Sequence, residues 1–473
     1  MPAVERVIDS PDTASRAYRA WAAAGAGSVR RSAWIAAALW LLLAGNAVAI
    51  VWLWLHGGGI GAVHGSADLW TSVGRITGLF AVYLALLQIV LLSRLPPLER
   101  LVGFDVLTVW HRRNGMACIV LVIAHVVFIT IGYAGTDQVR IPVEISRLLS
   151  SYPGMIAAVV GTGIMLAVVA FSFVIVRRRL PYEAWYAIHL SVYGGIVLAY
   201  LHQLPTGNEF SANPAQADYW IALNVAVLAL LSVFRVGHPV LFAWRHRLAV
   251  TAVHRDGPGV VSIEIGGRGL DRLHARAGQF MIWRFLTPGR WWQAHPFSFS
   301  RAPDGRTLRV TVKGVGHYSK TLATVPAGTR VLAEGPFGRF TLAARRSPDT
   351  VLIAGGIGVT PIRSLLEEFP PDTGDVQVIQ RAISGTDLVL AEEIAELARA
   401  KQATVHTVLG DHRDPHLAHL LGPAHLLELV PRIASSDVFL CGPPQMMDHV
   451  MASLRTLGVP KRQIHTERFA LAA

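Results

Sequence analysis

The sequence predicts a multi-domain membrane protein: a six-helix transmembrane bundle, then an antiparallel β-barrel domain, then an α/β Rossmann-like domain. Three observations lead to this prediction. The first half of the 473-residue chain contains six apolar segments, most of them long enough to cross a bilayer. From about residue 248 short β-like runs replace them, and from about residue 350 strands alternate with helical segments.

Composition favours a membrane protein over a large soluble enzyme. The chain is 52% hydrophobic and only 16% charged, with the apolar residues clustered. A formal net charge of +12 would suit nucleic acid, but the arginines concentrate beside the apolar segments, which favours membrane topology. Cys118 lies in an apolar segment and Cys441 in the polar half, so we expect no disulfide. Glu5, Asp9 and Asp12 precede the first apolar run, which argues against a secretory signal.

Loop charges predict the orientation of the six spans, which are 33–55, 70–93, 114–134, 154–176, 184–203 and 218–236. Arginines cluster in the leader and in alternate loops, at Arg16, Arg19, Arg30, Arg31, Arg94, Arg100, Arg112, Arg113, Arg177, Arg178, Arg179, Arg235, Arg245 and Arg247. Loops 56–69 and 204–217 have no Lys or Arg, and the third opposite loop has only Arg140 and Arg147. Because basic loops stay inside, we expect a multi-pass protein of the cell (inner) membrane, with both termini and everything after about residue 240 in the cytoplasm.

Segments three and five each carry two histidines: His111 and His125 on one, His189 and His202 on the other. At about 1.5 Å per residue each pair spans roughly 20 Å, which places one histidine near each face of a hydrocarbon core about 30 Å thick. Since the two segments run in the same direction, we expect His111 opposite His189 inside and His125 opposite His202 outside. Imidazole suits both axial positions of haem iron, so the pattern predicts two b-type haems. Packed histidines or a proton relay are the alternative interpretation.

One spacing does not fit an ideal helix. Fourteen residues return within about 40° of the starting face, whereas the thirteen between His189 and His202 leave a phase error of about 140°. Gly194 and Gly195 lie between these histidines, and we expect a local distortion there.

The polar half divides into two patterns. The β-like runs Leu248–Val253, Val260–Ile265, Phe280–Phe285, Thr307–Val312 and Arg330–Leu332 predict a small antiparallel barrel. The strand and helix segments Val351–Ile353, Pro361–Glu368, Val376–Ile379, Leu390–Ala400 and Thr404–Val408 predict a parallel α/β domain. Between its first strand and first helix lies a turn with Gly355, Gly356 and Gly358, where backbone N–H groups can approach a pyrophosphate.

Several motifs together resemble the ferric reductase and NADPH oxidase family of transmembrane flavocytochromes b. His295-Pro296-Phe297-Ser298-Phe299-Ser300 resembles the flavin-binding stretch of that family, with Gly278-Gln279-Phe280 before it. The other matching motifs are Lys313 with Gly316-His317-Tyr318-Ser319, Glu334-Gly335-Pro336-Phe337-Gly338, Gly356-x-Gly358-x-x-Pro361, Cys441-Gly442-Pro443-Pro444 and Glu467-Arg468-Phe469. The histidine pairs resemble the haem ligands of the family, spacing included. The resemblance covers about residues 33–473.

The resemblance implies four regions and their cofactors. They are a cytoplasmic leader (1–32), a transmembrane bis-haem domain (33–240), a β-barrel that binds FAD (243–345) and an α/β domain that binds NADPH (346–473), with NADH as the less favoured nucleotide. It implies direct roles for Ser298, Cys441 and Phe469. The implied cofactor contacts are Gln279, Phe280, His295, Pro296, Phe297, Ser298, Lys313, Gly316, Ser319, Gly355, Gly356, Gly358, Thr360, Pro361, Arg381, Arg413, Gly442 and Pro443.

Four features depart from the wider pattern. His295 stands where the ferredoxin-reductase superfamily has an arginine, and four residues follow Phe469. Ile129 replaces an extra histidine that assists oxygen reduction in vertebrate-type oxidases, and the outer end of segment one offers Trp52, Trp54 and His56 instead of an arginine. The last two departures favour a metal chelate slightly over oxygen as the acceptor.

The combined interpretation is a transmembrane oxidoreductase. A nicotinamide gives two electrons at once and a haem carries one, so a flavin is needed between them. We expect Ser298 to hydrogen-bond near the reactive nitrogen of the flavin, although a strand hydroxyl satisfied by backbone is the alternative. Arg381 and Arg413 are candidates for a 2′-phosphate contact, with solvated surface arginines as the alternative. The acceptor stays open among a ferric chelate, cupric ion, oxygen, a quinone or a protein.

Two other functional classes remain open at this point. The chain could be a haem sensor or carrier, or an electron-donating subunit for a partner protein. We expect the lipid bilayer and a small-molecule or metal acceptor as its partners, and no nucleic acid.

Overall fold

The computed structural model describes residues 11–469 except 174–175, 177–178, 181, 208, 210–213, 290, 371–373 and 412. Side chains are described from residue 34 onward, except also at 100, 105, 182 and 183. Several residues used for the topology and signal predictions therefore lie outside the described side chains: Glu5, Asp9, Asp12, Arg16, Arg19, Arg30, Arg31, Arg100, Arg177 and Arg178. Residues 33–237 form one compact unit, and the chain from His238 onward forms most of the other.

The first unit is helical. Its helices are α1 (Pro11–His56), α2 (Ser66–Leu91), α3 (Pro96–Val102), α4 (Phe104–Thr136), α5 (Ile141–Ser151), α6 (Met155–Ser172), α7 (Tyr182–Leu190), α8 (Val192–Tyr200), α9 (Gln203–Thr206) and α10 (Pro214–Ser232). Among the described residues, six stretches are long and apolar enough to cross a membrane: Trp34–His56, Ser66–Leu91, Val106–Thr136, Met155–Ser172, Ala184–Thr206 and Pro214–His246. The prediction of a six-helix transmembrane bundle is confirmed.

Glycines bring the membrane helices close together in pairs. On α2, a Cβ at Gly78 would lie 2.5 Å from Nδ1 of His125 on α4, and on α4 a Cβ at Gly132 would lie 2.6 Å from the backbone nitrogen of Thr71. On α6, a Cβ at Gly161 would lie 2.5 Å from the carbonyl oxygen of Gly195 on α8. Small residues at such contacts let helix backbones approach, which is how membrane helices pack without a hydrophobic driving force.

The second unit begins with helix α11 (His238–His246) and a β domain. Its strands are β1 (Ala249–Gly257), β2 (Val260–Gly266), β3 (Phe280–Phe285), β4 (His295–Ser298), β5 (Thr307–Lys313) and β6 (Val331–Phe337), with helix α12 (His317–Thr321) after β5. They form two antiparallel sheets, ordered β1-β2-β5 and β4-β3-β6. Isolated bridges Ala249–Arg330 and Phe299–Val310 join the two sheets, which closes them around one core as the predicted barrel.

The α/β part has one parallel five-stranded sheet. Its strands are β7 (Thr350–Gly355), β8 (Val376–Ala382), β9 (Thr404–Leu409), β10 (Asp437–Cys441) and β11 (Ile464–Glu467), ordered β11-β10-β7-β8-β9. Its helices are α13 (Val359–Glu368), α14 (Ala391–Lys401), α15 (Pro423–Leu429) and α16 (Pro444–Thr456). Residues of α13 and α14 share one core with alternate β7 residues, and residues of α15 and α16 share the other. Helices therefore cover both faces, as in Rossmann-like folds.

An ion-pair network connects the barrel with the α/β part. Arg309 on β5 donates to both carboxylate oxygens of Glu393 on α14, at 2.9 and 2.7 Å. Nε of Arg363 on α13 lies 2.8 Å from the same carboxylate, and Arg363 also pairs with Glu367. Burial opposes ionisation of Glu393, but the hydrogen bonds and charges of Arg309 and Arg363 outweigh it and lower its pKa. Glu393 therefore holds two buried arginines that would otherwise repel each other.

Removing the carboxylate of Glu393 should destabilise the second unit, which contains the barrel and the α/β part. We expect Glu393→Gln to lower its free energy of unfolding by about 1.5–3 kcal/mol, the usual contribution of a hydrogen bond to a charged group. The measurement is thermal release of flavin fluorescence from the full-length protein, with Glu396→Gln, an exposed glutamate of the same helix, as the matched control.

The same variant predicts a pH dependence. Because folding lowers the pKa of Glu393, its contribution is complete above the unfolded value, about 4.3, and is lost as pH falls below it. The difference between wild type and Glu393→Gln should therefore shrink on acidification. A difference that grows as pH falls would contradict this account.

Candidate redox site

The four intramembrane histidines lie in two facing pairs. The ring centroids of His111 and His189 are 6.0 Å apart, and those of His125 and His202 are 6.4 Å apart. A metal–imidazole bond is about 2.0–2.1 Å, and a ring nitrogen lies ~1.1 Å from the ring centre, so two imidazoles facing each other across one metal have centroids about 6.2 Å apart. Both pairs have the spacing that a shared iron would require.

Nδ1 atoms of three of the four histidines contact neighbouring helices, whereas Nδ1 of His202 is buried without a hydrogen-bond partner among the described residues. Nδ1 of His125 donates to the carbonyl oxygen of Gly74 at 2.8 Å, and Nδ1 of His111 donates to that of Gln88 at 3.2 Å. Nδ1 of His189 lies 3.5 Å from the hydroxyl of Ser172. Such bonds fix the tautomer and leave Nε2 free to bind a metal. Among the described residues no three His, Cys, Asp or Glu side chains converge on one point, so these sites offer two protein ligands each.

The segment that carries His189 and His202 is interrupted twice. Helix α7 ends at Leu190 and α8 begins at Val192, and a second break separates α8 from α9 at Leu201 and His202. At both breaks the backbone bonds span three residues, from Ser191 N to Ile188 O and from Leu201 N to Leu198 O. A tighter turn of 3.0 residues adds rotation per residue, which reduces the phase error of the thirteen-residue spacing.

The distortion is therefore not where the sequence suggested. Gly194 and Gly195 lie within the regular helix α8. Gly195 instead provides the close contact with Gly161 on α6. The expectation of a distortion at these glycines was wrong: both lie in regular helix, Gly195 serves helix packing, and a Cβ at Gly194 would meet no described atom of another element within 4 Å.

The flavin motif forms strand β4 and its surroundings. Ser298 is buried, and its hydroxyl makes no hydrogen bond to any residue that the structure describes. The His295 ring stacks on Tyr318, with ring centres 4.0 Å apart, and Trp283 Nε1 donates to the carbonyl of Phe297 at 3.0 Å. A strand hydroxyl satisfied by backbone is not observed for Ser298, so this atom is available to a ligand, as an FAD site requires.

The other predicted flavin contacts surround this strand. Gln279 joins two loops: its Oε1 accepts from the backbone N–H of Arg276 at 2.9 Å, and its Nε2 donates to the carbonyl of Gly338 at 3.3 Å. Phe280 begins β3, and Pro296 pairs with Ile282 on that strand. The remaining predicted contacts, at the end of β5 and in the turn after it, are Lys313, Gly316 and Ser319; the Ser319 hydroxyl caps the turn at Gly316 N, 2.9 Å away.

The nucleotide motifs converge at the point where the strand order reverses. β7 has β8 on one side and β10 on the other, so the crevice lies between the carboxyl ends of β7 and β10. In open α/β sheets ligands bind at this switch point. Gly355, Gly356 and Gly358 follow β7, and Gly442 and Pro443 follow β10. Two motifs far apart in the chain thus form one crevice.

Packing explains why glycine is required there. A Cβ at Gly358 would overlap the carbonyl oxygen of Cys441, and a Cβ at Gly442 would lie 3.2 Å from the Cα of Gly355. Thr360 and Pro361 are buried in the first turn of α13, with the Thr360 hydroxyl donating to the carbonyl of Ile357 at 3.0 Å. The glycines therefore keep the two turns in contact as well as exposing backbone N–H groups.

Arg381 ends up beside this crevice. It lies near the end of β8, paired in register with Gly355. Its guanidinium donates to the carbonyl oxygens of Ala382 and Val408, and partial burial lowers its pKa. Asp411 acts on the same guanidinium and accepts from the backbone N–H of Arg413, so both candidate arginines share one region.

Cys441 and Phe469 have contrasting environments. Cys441 is fully buried, and this burial, together with Glu467, raises the pKa of its thiol well above the ordinary value. The thiol therefore stays protonated and fits a packing role next to the nucleotide better than a nucleophilic one. Phe469 is 38% exposed and has no aromatic contact within the described part of the chain. Arg468 forms a 2.6 Å ion pair with Asp448, which fixes the direction of the terminal segment.

Sequence reasoning missed a polar cavity at the end of the bundle that carries His125 and His202. Its volume is about 360 Å³, and its lining includes Asp68, Ser72, Arg75, Tyr133 and Asp137. Gly74, whose carbonyl holds His125, lies between the lining residues Ser72 and Arg75.

The cavity arginine forms a buried ion pair. Nε of Arg75 donates to Glu209 at 3.0 Å, and the Arg75 guanidinium also donates to the carbonyl of Gly57 at 2.9 Å. An arginine within an apolar span is a functional-site candidate by default. That signal was present in the sequence at Arg75, inside the segment 70–93.

Comparison with known proteins identifies three parts of the chain. Residues 77–200 match a ferric reductase like transmembrane component, residues 259–341 an FAD-binding domain, and residues 352–452 an oxidoreductase NAD-binding domain. The matched domains are those of an NAD(P)H-dependent oxidoreductase in a multi-pass membrane protein.

Individual relatives share one or more of these parts. A probable ferric reductase transmembrane component of Candida albicans is 27% identical over 63% of this chain and 43% of its own length. A flavohemoprotein of Vibrio cholerae is 33% identical over 37% of this chain and 45% of its own. A solved cytochrome P450 reductase of Amycolatopsis covers 48% of this chain and 70% of its own, at 25% identity and a TM-score of 0.40. The chain spans about half the length of the curated relatives it matches.

Taken in order along the chain, the three domains define a membrane flavoprotein of the reductase class. The combination matches the ferric reductase and NADPH oxidase family, so the family predicted from the sequence is confirmed.

The position of Arg381 predicts nucleotide selectivity. If it contacts a 2′-phosphate, Arg381→Ala should raise KM for NADPH roughly ten- to a hundred-fold more than for NADH, because one charge-assisted contact is lost. Arg381→Lys should restore only part of the affinity for NADPH, since lysine lacks the planar fork of donors that a guanidinium offers. Steady-state kinetics with both nucleotides provide the measurement, with exposed Arg399→Ala as the control. Equal effects on both nucleotides would contradict the assignment.

Proposed function

We propose that this chain transfers electrons from cytoplasmic NADPH to an acceptor on the opposite face of the membrane, with FAD and two b-type haems as carriers. The two histidine pairs, with ring centroids 6.0 and 6.4 Å apart, carry the proposal. When bound, the flavin takes two electrons from the nicotinamide and each haem carries one. The proposed domains are 1–32, 33–240, 243–345 and 346–473, as predicted above.

The residues of the chain have distinct proposed tasks. His111 with His189, and His125 with His202, would supply the axial nitrogens, oriented by backbone carbonyls of α2 on the α4 side. The Ser298 hydroxyl would donate a hydrogen bond to the reactive nitrogen of the flavin. The glycine turn after β7 and the Cys441–Pro443 turn would hold the nucleotide, and Phe469 would cover the flavin. The bilayer and an electron acceptor are the proposed partners.

The outer cavity supports a small acceptor. Its volume of about 360 Å³ is enough for oxygen or a lightly complexed metal ion, and Asp68 and Asp137 line it with carboxylates. Glu209 neutralises Arg75 and Arg147 pairs with Asp137, which leaves Asp68 as the lining carboxylate without an ion-pair partner among the described residues. This favours a metal cation over oxygen, in line with Ile129 at the position discussed above.

An electron-donating subunit for a partner protein remains the second candidate. Steady NADPH oxidation by the purified protein without a partner would rule it out as the main function.

The histidine pairs predict haem content. The wild-type protein should contain two haems per chain, and His125→Leu should contain one, because leucine offers no ligand. Pyridine haemochrome quantitation against protein concentration measures this, with His64→Leu in an exposed loop as the control. NADPH-dependent flavin reduction should persist in the variant. One haem or none in the wild type would reject the bis-haem proposal.

Sealed vesicles of known orientation test direction and acceptor together. With NADPH on the side of the soluble domains, an impermeant ferric chelate or cupric salt on the other side should be reduced, faster than a superoxide probe responds. Reduction only on the NADPH side would overturn the topology. Superoxide formation far above metal reduction would identify oxygen as the acceptor.

A cavity variant sharpens the same experiment. Asp68→Asn should raise KM for the metal acceptor several-fold, since a carboxylate is lost, without changing KM for NADPH. Asp218→Asn is the matched control, because Asp218 is exposed and does not line the cavity.

A further inference from the structure

A second pocket lies where the last candidate membrane span ends. The span Pro214–His246 closes with helix α11, and its final two residues belong to a pocket of about 260 Å³. The pocket is lined by Arg245, His246, Arg268, Gly269, Asp271 and Arg272. It belongs to none of the redox motifs described above.

Backbone contacts build this pocket. The N–H of Arg268 donates to the carbonyl of His246 at 2.7 Å, and Nδ1 of His246 donates to the carbonyl of Arg268 at 2.9 Å. Gly269 has a φ of +61°, which turns the chain, and the N–H of Arg272 donates back to Gly269 at 3.1 Å. These bonds place the arginine side chains around one opening, and none of them uses an arginine guanidinium group.

The pocket is strongly basic. Arg245, Arg268 and Arg272 are exposed, and within the part of the chain that the structure describes none of their guanidinium groups forms an ion pair. Asp271 is the one carboxylate in the lining, which leaves a net positive charge. Each guanidinium presents five donors in a planar fork that matches phosphate oxygens.

The neighbouring surface is apolar and exposed. On α11, Val240, Leu241 and Trp244 are 63%, 55% and 68% exposed. Exposed apolar residues that continue a membrane span are explained by contact with lipid, and tryptophan concentrates at the headgroup level. Arg245 follows Trp244 directly, so the basic pocket adjoins a residue type that concentrates at the headgroup level.

We propose that this pocket binds the phosphate of an anionic phospholipid and so holds the end of α11 at the membrane surface. A basic cluster next to a membrane helix is the recognised physical basis for such binding. The ligand chemistry is a phosphate ester, and its proposed source is the bilayer rather than a soluble phosphate. The proposal does not depend on the electron-transfer function.

Native mass spectrometry of the full-length flavin-loaded protein in detergent can test it. Phosphatidylglycerol should bind to the wild type much more tightly than phosphatidylcholine. An arginine near an anionic lipid surface strengthens binding about fivefold, so Arg268→Gln with Arg272→Gln should weaken phosphatidylglycerol binding roughly 25-fold. The matched control is Arg255→Gln with Arg306→Gln, which removes the same charge from exposed arginines of the barrel outside the pocket.

The outcomes distinguish the proposal from its competitors. Both double variants should keep their flavin and their NADPH oxidation, because the pocket is held by backbone bonds. Equal weakening by both double variants would show only a general charge effect and would overturn the site. Full competition by inorganic phosphate at equimolar concentration, with no preference between the two lipids, would assign the pocket to a soluble phosphate instead.

Discussion

The placement of the four intramembrane histidines depends on close approach between helix backbones. His125 packs against Gly78 at a distance that leaves no room for a side chain on α2. The same approach lets the carbonyl of Gly74 accept a hydrogen bond from His125. A larger residue at either glycine would separate α2 from α4 and move the imidazole away from its partner on the other helix. The packing of α2 on α4 therefore also determines the position of the histidine ring.

A comparable constraint joins the barrel and the α/β part of the second unit. The nucleotide crevice lies at the carboxyl ends of β7 and β10, while the unpaired Ser298 hydroxyl belongs to the barrel. Hydride transfer between two bound cofactors needs the parts that hold them in a fixed relation. The bidentate contact of Arg309 with Glu393 joins these parts. The ion pair therefore helps to fix the barrel relative to the α/β part as well as to stabilise both. Its residues belong to no recognisable sequence motif.

Local patterns in the sequence predicted the fold class and most of its elements, but not the strands β10 and β11 or the helices α15 and α16. Length and hydropathy predicted six spans, and alternation predicted most strands within a few residues. The short strand β4 was recognised only as a motif, since Pro296 argues against a strand unless it lies at an edge, where the structure places it beside β3 alone. The breaks around Ser191 and His202 were not predicted, since neither position carries a proline or glycine that would indicate one.

The candidate site was predictable only where particular residue types at particular spacings indicate a chemical role. Histidines at matched depth and glycine turns after strands are such patterns. The cavity beside the outer histidine pair is different, because Arg75 and Glu209 lie 134 residues apart and meet only in three dimensions. The same holds for the basic pocket, whose residues come from the end of α11 and from the turn after β2.

The charges of the outer cavity bear on which acceptor suits the proposed electron transfer. Oxygen becomes an anion when it takes an electron, and a free cation near the site would stabilise that anion. Arg75 is the cation available in the lining, but Glu209 already neutralises it within the protein. A metal ion loses positive charge when it is reduced. Its attraction to Asp68 therefore weakens after the transfer, which favours binding of the oxidised ion and release of the reduced one, whereas Asp137 is already paired with Arg147. The negative charge of this lining would therefore repel superoxide, whereas it would bind an oxidised metal ion and release the reduced one.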